Sequence, residues 1–265
     1  MILSTKHYME LCQILHRESG IDLGSDKKDL MINRVNPILK ERDIELSDFL
    51  MSLKSGDKEA THVFVNSLTT NKTFFFREPK QFNHIREVCK QRPSYHVFYV
   101  WSAACSTGQE AYTLSMCLKE ACFPKGQEFR ILATDIDSNV LKKAESGIYE
   151  KYELDGLSDD QIKNNFLVSN SGDKYKVNPG LQDHVKFRQL NLIDDKAQIP
   201  VKFDFIFLRN VLIYFNEETQ QQIMDRLYEK LNPGGILYLG ASETIRDRHG
   251  IWKSLGMAAY QKEVA

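Results

Sequence analysis

Residues Phe98–Glu110 read FYVWSAACSTGQE, and this stretch decides the fold of the chain. The apolar run Val97–Trp101 predicts a strand, and the pattern over Gln109–Ala121 predicts a helix. The residues between them, SAACSTG, are small, so the backbone of this loop can approach a ligand closely. A second apolar run, Phe129–Ala133, predicts the next strand. Together these segments predict the beginning of an α/β nucleotide-type site.

Asp135 follows the second of these strands. A carboxylate at the end of a strand in an open α/β sheet can accept hydrogen bonds from both hydroxyls of a ribose. A dinucleotide is disfavoured because the chain has no G-x-G-x-x-G, and the lone Gly108 makes a poor pyrophosphate cradle. The pattern therefore favours a nucleoside ligand without phosphates, such as S-adenosylmethionine (SAM).

Composition narrows the class of protein. The 265 residues are 42% hydrophobic, enough for one core and a small satellite domain, and the net charge is −1. A chain with a net charge near zero has no strong overall electrostatic potential that would attract nucleic acid. The N-terminus lacks a signal-peptide pattern, and no apolar run approaches the roughly 20 residues of a membrane span. Five scattered cysteines without a C-x-x-C pair predict neither disulfides nor a metal site. We therefore expect a cytoplasmic protein that neither inserts into membranes nor binds nucleic acid.

The pattern changes along the chain. Residues 1–67 predict helices, whereas short apolar strands alternate with helices from about residue 95, which is typical of a parallel sheet. The predicted strands are Val97–Trp101, Phe129–Ala133, Val185–Leu190, Phe203–Leu208, Ile236–Leu239 and one near Met257–Lys262. Asn216 is a good N-cap for a helix over Glu217–Leu231, which Asn232-Pro233-Gly234-Gly235 should stop. The polar stretch at about 148–184 is too long for an ordinary loop and predicts a small inserted subdomain.

Segments spread over most of the chain carry a resemblance to a known family. They are Thr69–Phe82 (TTNKTFFFREPKQF), Trp101–Tyr112 (WSAACSTGQEAY), Ala133–Tyr149 (ATDIDSNVLKKAESGIY), Phe203–Phe215 (FDFIFLRNVLIYF) and Leu231–Glu243 (LNPGGILYLGASE). In this order and spacing they resemble the CheR family of chemotaxis receptor methyltransferases.

The resemblance implies a fold and a domain organisation. The fold is α/β, a SAM-dependent methyltransferase Rossmann-like fold with a mostly parallel sheet. A small all-α receptor-docking domain would occupy residues 1–67. The SAM-binding methyltransferase domain would occupy residues 68–265, with a small β-subdomain inserted at about 148–184.

The resemblance also implies an activity. The protein would transfer a methyl group from SAM to glutamates in the cytoplasmic domain of a chemoreceptor, forming γ-methyl esters and S-adenosylhomocysteine (SAH), and it would act as a monomer. Two alternatives remain open: a carboxyl methyltransferase for another protein or a small acid, and a non-catalytic SAM-sensing module. Leu208-Arg209-Asn210-Val211 lacks the Asn/Asp-Pro-Pro-aromatic motif of enzymes that methylate base or glutamine nitrogens, which argues against those activities.

The family's functional positions map onto residues of this sequence. Glu110 would accept from the methionyl ammonium of SAM, Asp135 would hold the ribose, and Asn191 and Leu192 would contact adenine. The other residues implied to bind the cofactor are Asn71, Thr73, Arg77, Arg209 and Asn210. Arg77 and Tyr214 would orient the acceptor carboxylate, and no general base or metal is needed because a glutamate is already ionised at neutral pH.

Each of these residues also has a structural interpretation. Glu110 could complete a capping box with Thr107, and Asp135 could cap a helix that begins at Ile136. Asn191 could be a turn residue, Tyr214 a core aromatic and Arg77 an ordinary surface cation.

Receptor docking has one candidate element in the N-terminal region. The family resemblance points to a basic helix, for which Lys27–Arg42 is the candidate, but a solvated mixed-charge helix explains it equally well. Pro37 should kink or end that helix. The insert carries the short segment Val168–Tyr175 with one glycine, which favours an enzyme that does not bind a receptor pentapeptide tether.

Overall fold

A computed structural model describes residues 3–195, 198–247 and 250–263. The chain begins with helices that bury one apolar face each against a shared core, which includes Leu11, Phe49, Leu53 and Phe64. These helices are α1 (Thr5–Ser19), α2 (Lys28–Arg42), α3 (Leu46–Ser55) and α4 (Lys58–Leu68). The helical character predicted for the N-terminal region is therefore confirmed.

Of the two effects expected of Pro37, a kink or the end of the helix, the second is not observed in α2. The helix runs from Lys28 to Arg42 with Pro37 inside it. Val35, Ile38 and Leu39 around the proline are buried in the helical core. Their burial outweighs the hydrogen bond that proline removes, since each such side chain contributes about 1.5–3 kcal/mol.

The rest of the chain alternates strands and helices. Its helices are α5 (Pro79–Gln91), α6 (Gln109–Cys122), α7 (Ser138–Ser146), α8 (Asp159–Asn165), α9 (Pro179–Gln182) and α10 (Glu217–Lys230). Its strands are β1 (Val97–Ala103), β2 (Glu128–Asp135), β3 (Ile148–Glu150), β4 (Phe166–Val168), β5 (Lys174–Val177), β6 (Val185–Gln189), β7 (Phe203–Leu208), β8 (Leu231–Leu239), β9 (Trp252–Gly256) and β10 (Ala259–Lys262).

The main sheet has the order β6-β2-β1-β7-β8-β10-β9 in the described residues. Pairing is parallel from β6 through β8, and β10 and β9 close one edge as an antiparallel hairpin. The carboxyl ends of β1, β2, β6 and β7 therefore share one edge of the sheet, where ligands bind in open α/β folds. This architecture confirms the predicted α/β class.

Most predicted boundaries differ from the observed ones by one or two residues, and two regions near the C-terminal end of the sheet need a larger correction. The helix expected over Glu217–Leu231 ends at Lys230, and β8 begins at Leu231, so Asn232-Pro233-Gly234-Gly235 lies within the strand. A register shift at Phe203–Phe205 accommodates this segment. In place of one final strand near Met257–Lys262 the chain forms the β9–β10 hairpin, which an apolar run alone could not reveal because β9 is largely polar and exposed.

The region at about 148–184 contains a second sheet of order β3-β5-β4, antiparallel throughout. Its apolar side includes Tyr149 and Phe166 and packs around Phe75 from the segment that precedes α5. The Phe75 ring meets the Tyr149 ring edge-on at 5.2 Å and the Phe166 ring at 5.6 Å. The small sheet thus anchors the segment around Phe75 above the main sheet.

The helical unit is tied to the sheet unit near the carboxyl edge of the sheet. Ile21 forms an isolated antiparallel bridge with Phe215, and the Asp22 N–H donates to the Tyr214 carbonyl at 2.8 Å. The Asn191 side-chain amide donates to the Glu18 carbonyl at 2.7 Å. The end of α1 is therefore part of the same surface as the strand ends.

Among the described residues, no helix is long and apolar enough to cross a membrane. The five cysteines are all free.

Gly20, the C-cap of α1, provides a test of how tightly the two units pack. It has φ +77°, and a Cβ there would lie 2.8 Å from Ile193 Cγ2 and 3.2 Å from Thr219 Cγ2. Gly56, the C-cap of α3, has φ +79° with no heavy atom within 4 Å of the corresponding position. Both Gly→Ala changes cost about 1–2 kcal/mol for the left-handed backbone. Gly20→Ala adds about 1–3 kcal/mol for overpacking.

Urea unfolding of the two variants would measure this difference. Gly20→Ala should lower the free energy of unfolding more than the control Gly56→Ala does. Equal losses would show that the contact between the units is loose.

Candidate cofactor and active site

One pocket at the carboxyl edge of the main sheet brings together every side chain assigned to the site from sequence. These are Asn71, Thr73, Arg77, Glu110, Asp135, Asn191, Leu192, Arg209, Asn210 and Tyr214. Ser19, Ile21 and Leu68 of the helical unit complete one wall. The grouping follows from the topology, because parallel strands end at one edge and place their following loops side by side.

The loop after β1 forms the floor of the pocket in a constrained backbone conformation. Ala104 and Ser106 have φ of 62° and 51°, values that L-residues rarely adopt. Gly108 has φ 93°, and a Cβ there would lie 2.8 Å from the Ala144 Cβ. Glycine is thus required at 108 by both backbone angle and space. Strained residues of this kind concentrate at functional sites, where the surrounding structure holds them.

Asp135 is buried at the end of β2 and supports this loop. Its Oδ2 accepts from the Ser106 N–H at 2.8 Å, and its Oδ1 accepts from the Asp137 N–H at 3.0 Å. Burial raises the pKa of Asp135 to about 6, although the backbone N–H groups of Asp137 and Ser106 oppose that rise. The N-cap of α7 is Asp137, whose side chain accepts from Asn139, so Asp135 is not the helix cap.

Glu110 lies in the first turn of α6, with 12% of its side chain exposed. Its Oε1 accepts from the Ser102 hydroxyl at 2.6 Å. Its Oε2 lies 3.1 Å from Arg209 Nε, close enough for an ion pair, although the Nε–H does not aim at a hydrogen-bond acceptor. The helix N-cap is Gly108 without a side-chain bond, so the capping-box alternative is not observed. Burial raises the pKa of Glu110 despite the opposing effects of Arg209 and Ser102.

Arg209 is held from several directions. Only 2% of its side chain is exposed. The guanidinium lies 5.3 Å from the centre of the Phe82 ring and 5.9 Å from that of Phe207. It donates to Gln81 Oε1 at 3.2 Å and to the Arg77 carbonyl at 2.7 Å. Arg209 therefore joins the end of β7 to α5 and to the segment over the pocket.

The segment Thr69–Arg77 covers the pocket and is fixed by its polar side chains. Asn71 donates from Nδ2 to Asp137 Oδ2 at 2.9 Å, and its carbonyl accepts from the Ser106 hydroxyl at 3.1 Å. Arg77 is partly exposed, donates to the Lys72 carbonyl at 3.0 Å and lies 5.6 Å from the Phe74 ring centre. A partly exposed guanidinium on the pocket wall can still reach an incoming carboxylate.

Asn191 and Leu192 follow β6 on the opposite wall. Besides its bond to the Glu18 carbonyl, Asn191 accepts the Ile193 N–H at Oδ1, 3.2 Å away. The turn role considered from sequence is therefore observed, and one side-chain N–H of Asn191 stays available for a base. Leu192 packs against the apolar cluster beneath the sheet.

Asn210 and Tyr214 lie in the loop after β7. Asn210 has φ 59°, and its buried Oδ1 has no hydrogen-bond partner in the described parts of the chain. Tyr214 ends a short 3-10 helix, Leu212–Tyr214, and lines the pocket. Asn210 lines the pocket, but its Oδ1 is inaccessible to a water-sized group, so in this conformation the oxygen does not face a ligand.

Sequence reasoning missed several residues of this site. Ser102, Ser106 and Asp137 orient Glu110, Asp135 and Asn71, respectively. The only sign of them in the sequence was their position in the segments SAACS and DID. Ser19 and Ile21 reach the pocket only through the packing of the helical unit, for which the sequence held no signal.

The polar groups of the pocket fit SAM. The carboxylates of Glu110 and Asp135 line the pocket and are acceptors suited to an ammonium group and ribose hydroxyls. The raised pKa of Glu110 indicates a carboxylate whose ionised form a bound cation would stabilise. Among the described residues, no cluster of His, Cys, Asp or Glu could hold a metal ion.

Comparison with known proteins gives two family matches. Residues 6–69 match the model of the CheR methyltransferase all-alpha domain, and residues 71–260 match that of the CheR methyltransferase SAM binding domain. The chain is 36% identical over 249 residues to the chemotaxis protein methyltransferase of Salmonella typhimurium, covering 92% of this chain and 85% of that one. It is 37% identical over 245 residues to the Klebsiella aerogenes protein of the same name, covering 91% and 84%.

Solved structures overlap less well. PKMT2 from Rickettsia typhi in complex with AdoHcy has a TM-score of 0.39 and 18% identity, over 64% of this chain and 26% of that one.

The pKa of Asp135 predicts how SAH affinity depends on pH. An acceptor for two ribose hydroxyls must be ionised, so a protonated Asp135 has to lose its proton on binding. Since its pKa is raised to about 6, affinity should be constant above about pH 7 and should fall below it, approaching a tenfold loss per pH unit well below pH 6. Calorimetry with SAH across pH 5–8 would measure this.

The Asp135→Asn variant is the control. It should bind SAH at least tenfold more weakly at pH 8, because hydrogen bonds to a charged group contribute about 1.5–3 kcal/mol. The decrease in SAH affinity that comes from protonation of Asp135 should also disappear in this variant. Any pH dependence that remains would come from Glu110. Wild-type affinity in a folded variant would refute the ribose role.

Proposed function

The chain belongs to the CheR methyltransferase family, and from this premise we propose that it methylates glutamate side chains in the cytoplasmic domain of a chemoreceptor. It is a SAM-dependent methyltransferase, and we propose γ-glutamyl methyl esters as its products. We propose that it acts in the cytoplasm and as a monomer.

One observation carries this proposal: all the side chains expected from the family to bind SAM or the acceptor line a single pocket. In the proposed arrangement Glu110 takes the methionyl ammonium, Asp135 the ribose, and Asn191 with Leu192 the adenine. Asn71, Thr73, Arg77, Arg209 and Asn210 complete the cofactor side. Arg77 and Tyr214 serve the acceptor.

Bound SAM supplies a methyl group on a sulfonium, which is an activated leaving group. The residues of this chain then need only to position the acceptor, because a glutamate with an unperturbed pKa of about 4.3 is already a nucleophile at neutral pH. Arg77 can hold one carboxylate by two parallel hydrogen bonds, and the Tyr214 hydroxyl can orient it from the other wall. Orientation of this kind can supply several kcal/mol of the barrier, and no residue needs to act as a general base.

The remaining parts of the chain have proposed roles in recognition. We assign residues 1–67 to receptor docking and residues 68–265 to cofactor binding and catalysis. On α2, Lys28 is partly exposed, while Lys27 at its N-cap and Arg34 are exposed, so they are available to an acidic surface. The small β-subdomain at about 148–184 would not bind a receptor tether, since its turn after β4 is short.

Transfer of labelled methyl groups would test the function directly. Incubation of the enzyme with methyl-labelled SAM and a receptor cytoplasmic domain should give alkali-labile label on the receptor. Label on free acids or on an unrelated protein would favour the broader carboxyl methyltransferase. SAH binding without any transfer would favour a sensing module.

Arg77→Ala should lower turnover more than it weakens SAH binding, because Arg77 faces the acceptor and Arg209 remains in place. Arg77→Lys keeps the charge without the bidentate geometry and should fall between the two. Initial rates at saturating receptor and SAM, together with SAH calorimetry, would separate these effects. Unchanged turnover in Arg77→Ala would remove this residue from the mechanism.

Reversal of Lys27, Lys28 and Arg34 to Glu should raise the KM for receptor and leave SAH affinity unchanged. Exposed charges act mainly by steering association, so the effect should shrink as salt shortens the Debye length from ~10 Å at 0.1 M to ~3 Å at 1 M. Reversal of the exposed Lys186, Lys202 and Lys253 is the control with the same change in net charge. Equal KM values for the two variants at low salt would place receptor docking elsewhere.

A further inference from the structure

Glu243 is a buried carboxylate that the proposed mechanism does not use. It follows β8 in a tight turn, in which its N–H donates to the Gly240 carbonyl at 2.8 Å. Only 4% of the residue is exposed. A charged side chain so far from water requires strong partners, since burying an unpaired charge is very costly.

The partners of Glu243 are backbone N–H groups from two loops. Its Oε2 accepts from Asn210 and from Gly240, both at 2.7 Å. Its Oε1 accepts from Val211 and from Leu212, both at 2.8 Å. The carboxylate therefore binds three consecutive N–H groups after β7 and one after β8. We call this arrangement the Glu243 clamp.

The clamp explains how the loop after β7 keeps its conformation. Asn210 has φ 59°, which is unfavourable for a residue with a Cβ, and Leu212 begins the 3-10 helix that ends at Tyr214. The first N–H groups of such a helix have no partners within it, and here Glu243 accepts from them. Gly240 is needed for the approach, because a Cβ there would lie 2.6 Å from Asn210 Nδ2 and 2.8 Å from Glu243 Oε2.

We propose that Glu243 is a positioning residue for methyl transfer, which acts by fixing the loop that presents Tyr214 to the acceptor. This inference rests on the proposed function. Glu243 does not line the pocket, so it acts through other residues. On the cofactor side only Asn210 is bound by the clamp, whereas Arg209 is held separately by Gln81, Phe82 and Phe207. Loss of the clamp therefore affects one of several cofactor residues but one of only two acceptor residues.

Glu243→Gln is the primary test. Glutamine keeps the shape but directs an NH2 group at two N–H donors, which breaks half of the clamp. The variant should show at least a tenfold lower kcat per SAH-binding site and no more than a threefold weaker SAH affinity. Equal losses in kcat and affinity would mean general distortion of the pocket and would overturn the positioning role, as would wild-type kcat.

Asp204→Asn is the matched control. Asp204 is a buried carboxylate near the amino end of β7, the strand whose carboxyl end leads into the clamped loop. It accepts from the Tyr99 N–H at 2.9 Å and lies 3.2 Å from His96 Nε2. This variant should lose stability and keep kcat per SAH-binding site. A kcat defect in Asp204→Asn as large as that in Glu243→Gln would show that any damage to β7 suffices.

A double-mutant cycle tests whether Glu243 acts through Tyr214. Residues that act as a unit have non-additive effects. Glu243→Gln should therefore lower kcat less than threefold further in a Tyr214→Phe background, and an undiminished tenfold effect would overturn the link.

If Glu243→Gln yields too little folded protein, Glu243→Asp keeps the charge on a side chain too short to span both loops. It should show the same split between kcat and affinity, and wild-type kcat in that variant would overturn the proposal.

The wild-type protein in the same assay tests the proposed function separately. An unlabelled receptor would overturn that function. A labelled receptor with an unimpaired Glu243→Gln variant would overturn the positioning role alone.

Discussion

The buried pairing of Glu110 with Arg209 is the interaction on which the site depends. It joins the helix after β1 to the end of β7, across the centre of the sheet, and Arg209 extends the connection to α5 and the covering segment. Removing one partner of a buried ion pair typically costs about 3–5 kcal/mol, because the other charge is left without compensation. The pair is also incomplete, since Arg209 Nε does not aim at the carboxylate and burial keeps the pKa of Glu110 raised. A cation bound in the pocket would complete it.

Backbone strain accompanies this electrostatic arrangement. Ala104, Ser106 and Asn210 all have positive φ, and each lies beside the pocket. Two acidic side chains stabilise these conformations by accepting backbone N–H groups: Asp135 for Ser106 and Glu243 for Asn210. The chain therefore uses carboxylates as internal supports as well as potential ligand contacts. This dual use explains why acidic residues are buried around a pocket in a nearly neutral protein.

The sequence predicted those parts of the structure that depend on local pattern. Strand Phe203–Leu208 has its predicted limits, because five of its six residues are apolar and the charged Lys202 and Arg209 flank it. The pocket was predictable because loops after parallel strands must meet. Pro37 in α2 and the start of β8 at Leu231 were not, because tertiary burial overrode local propensity at both places. The wall formed by Ser19 and Ile21 depends on how two units pack, which periodicity within either unit does not encode.

The contribution of the helical unit to that wall has a consequence for protein engineering. The end of α1 contacts the loops after β6 and β7 through Glu18, Ile21 and Asp22. A chimera that joins the helices of one relative to the sheet of another would therefore replace part of the small-molecule cavity together with the proposed docking surface. The two units look interchangeable in a linear diagram of the chain. The residues at their junction, however, are complementary only within the same protein. Grafting residues 5–68 as a block would require the loop residues opposite to be transferred with them.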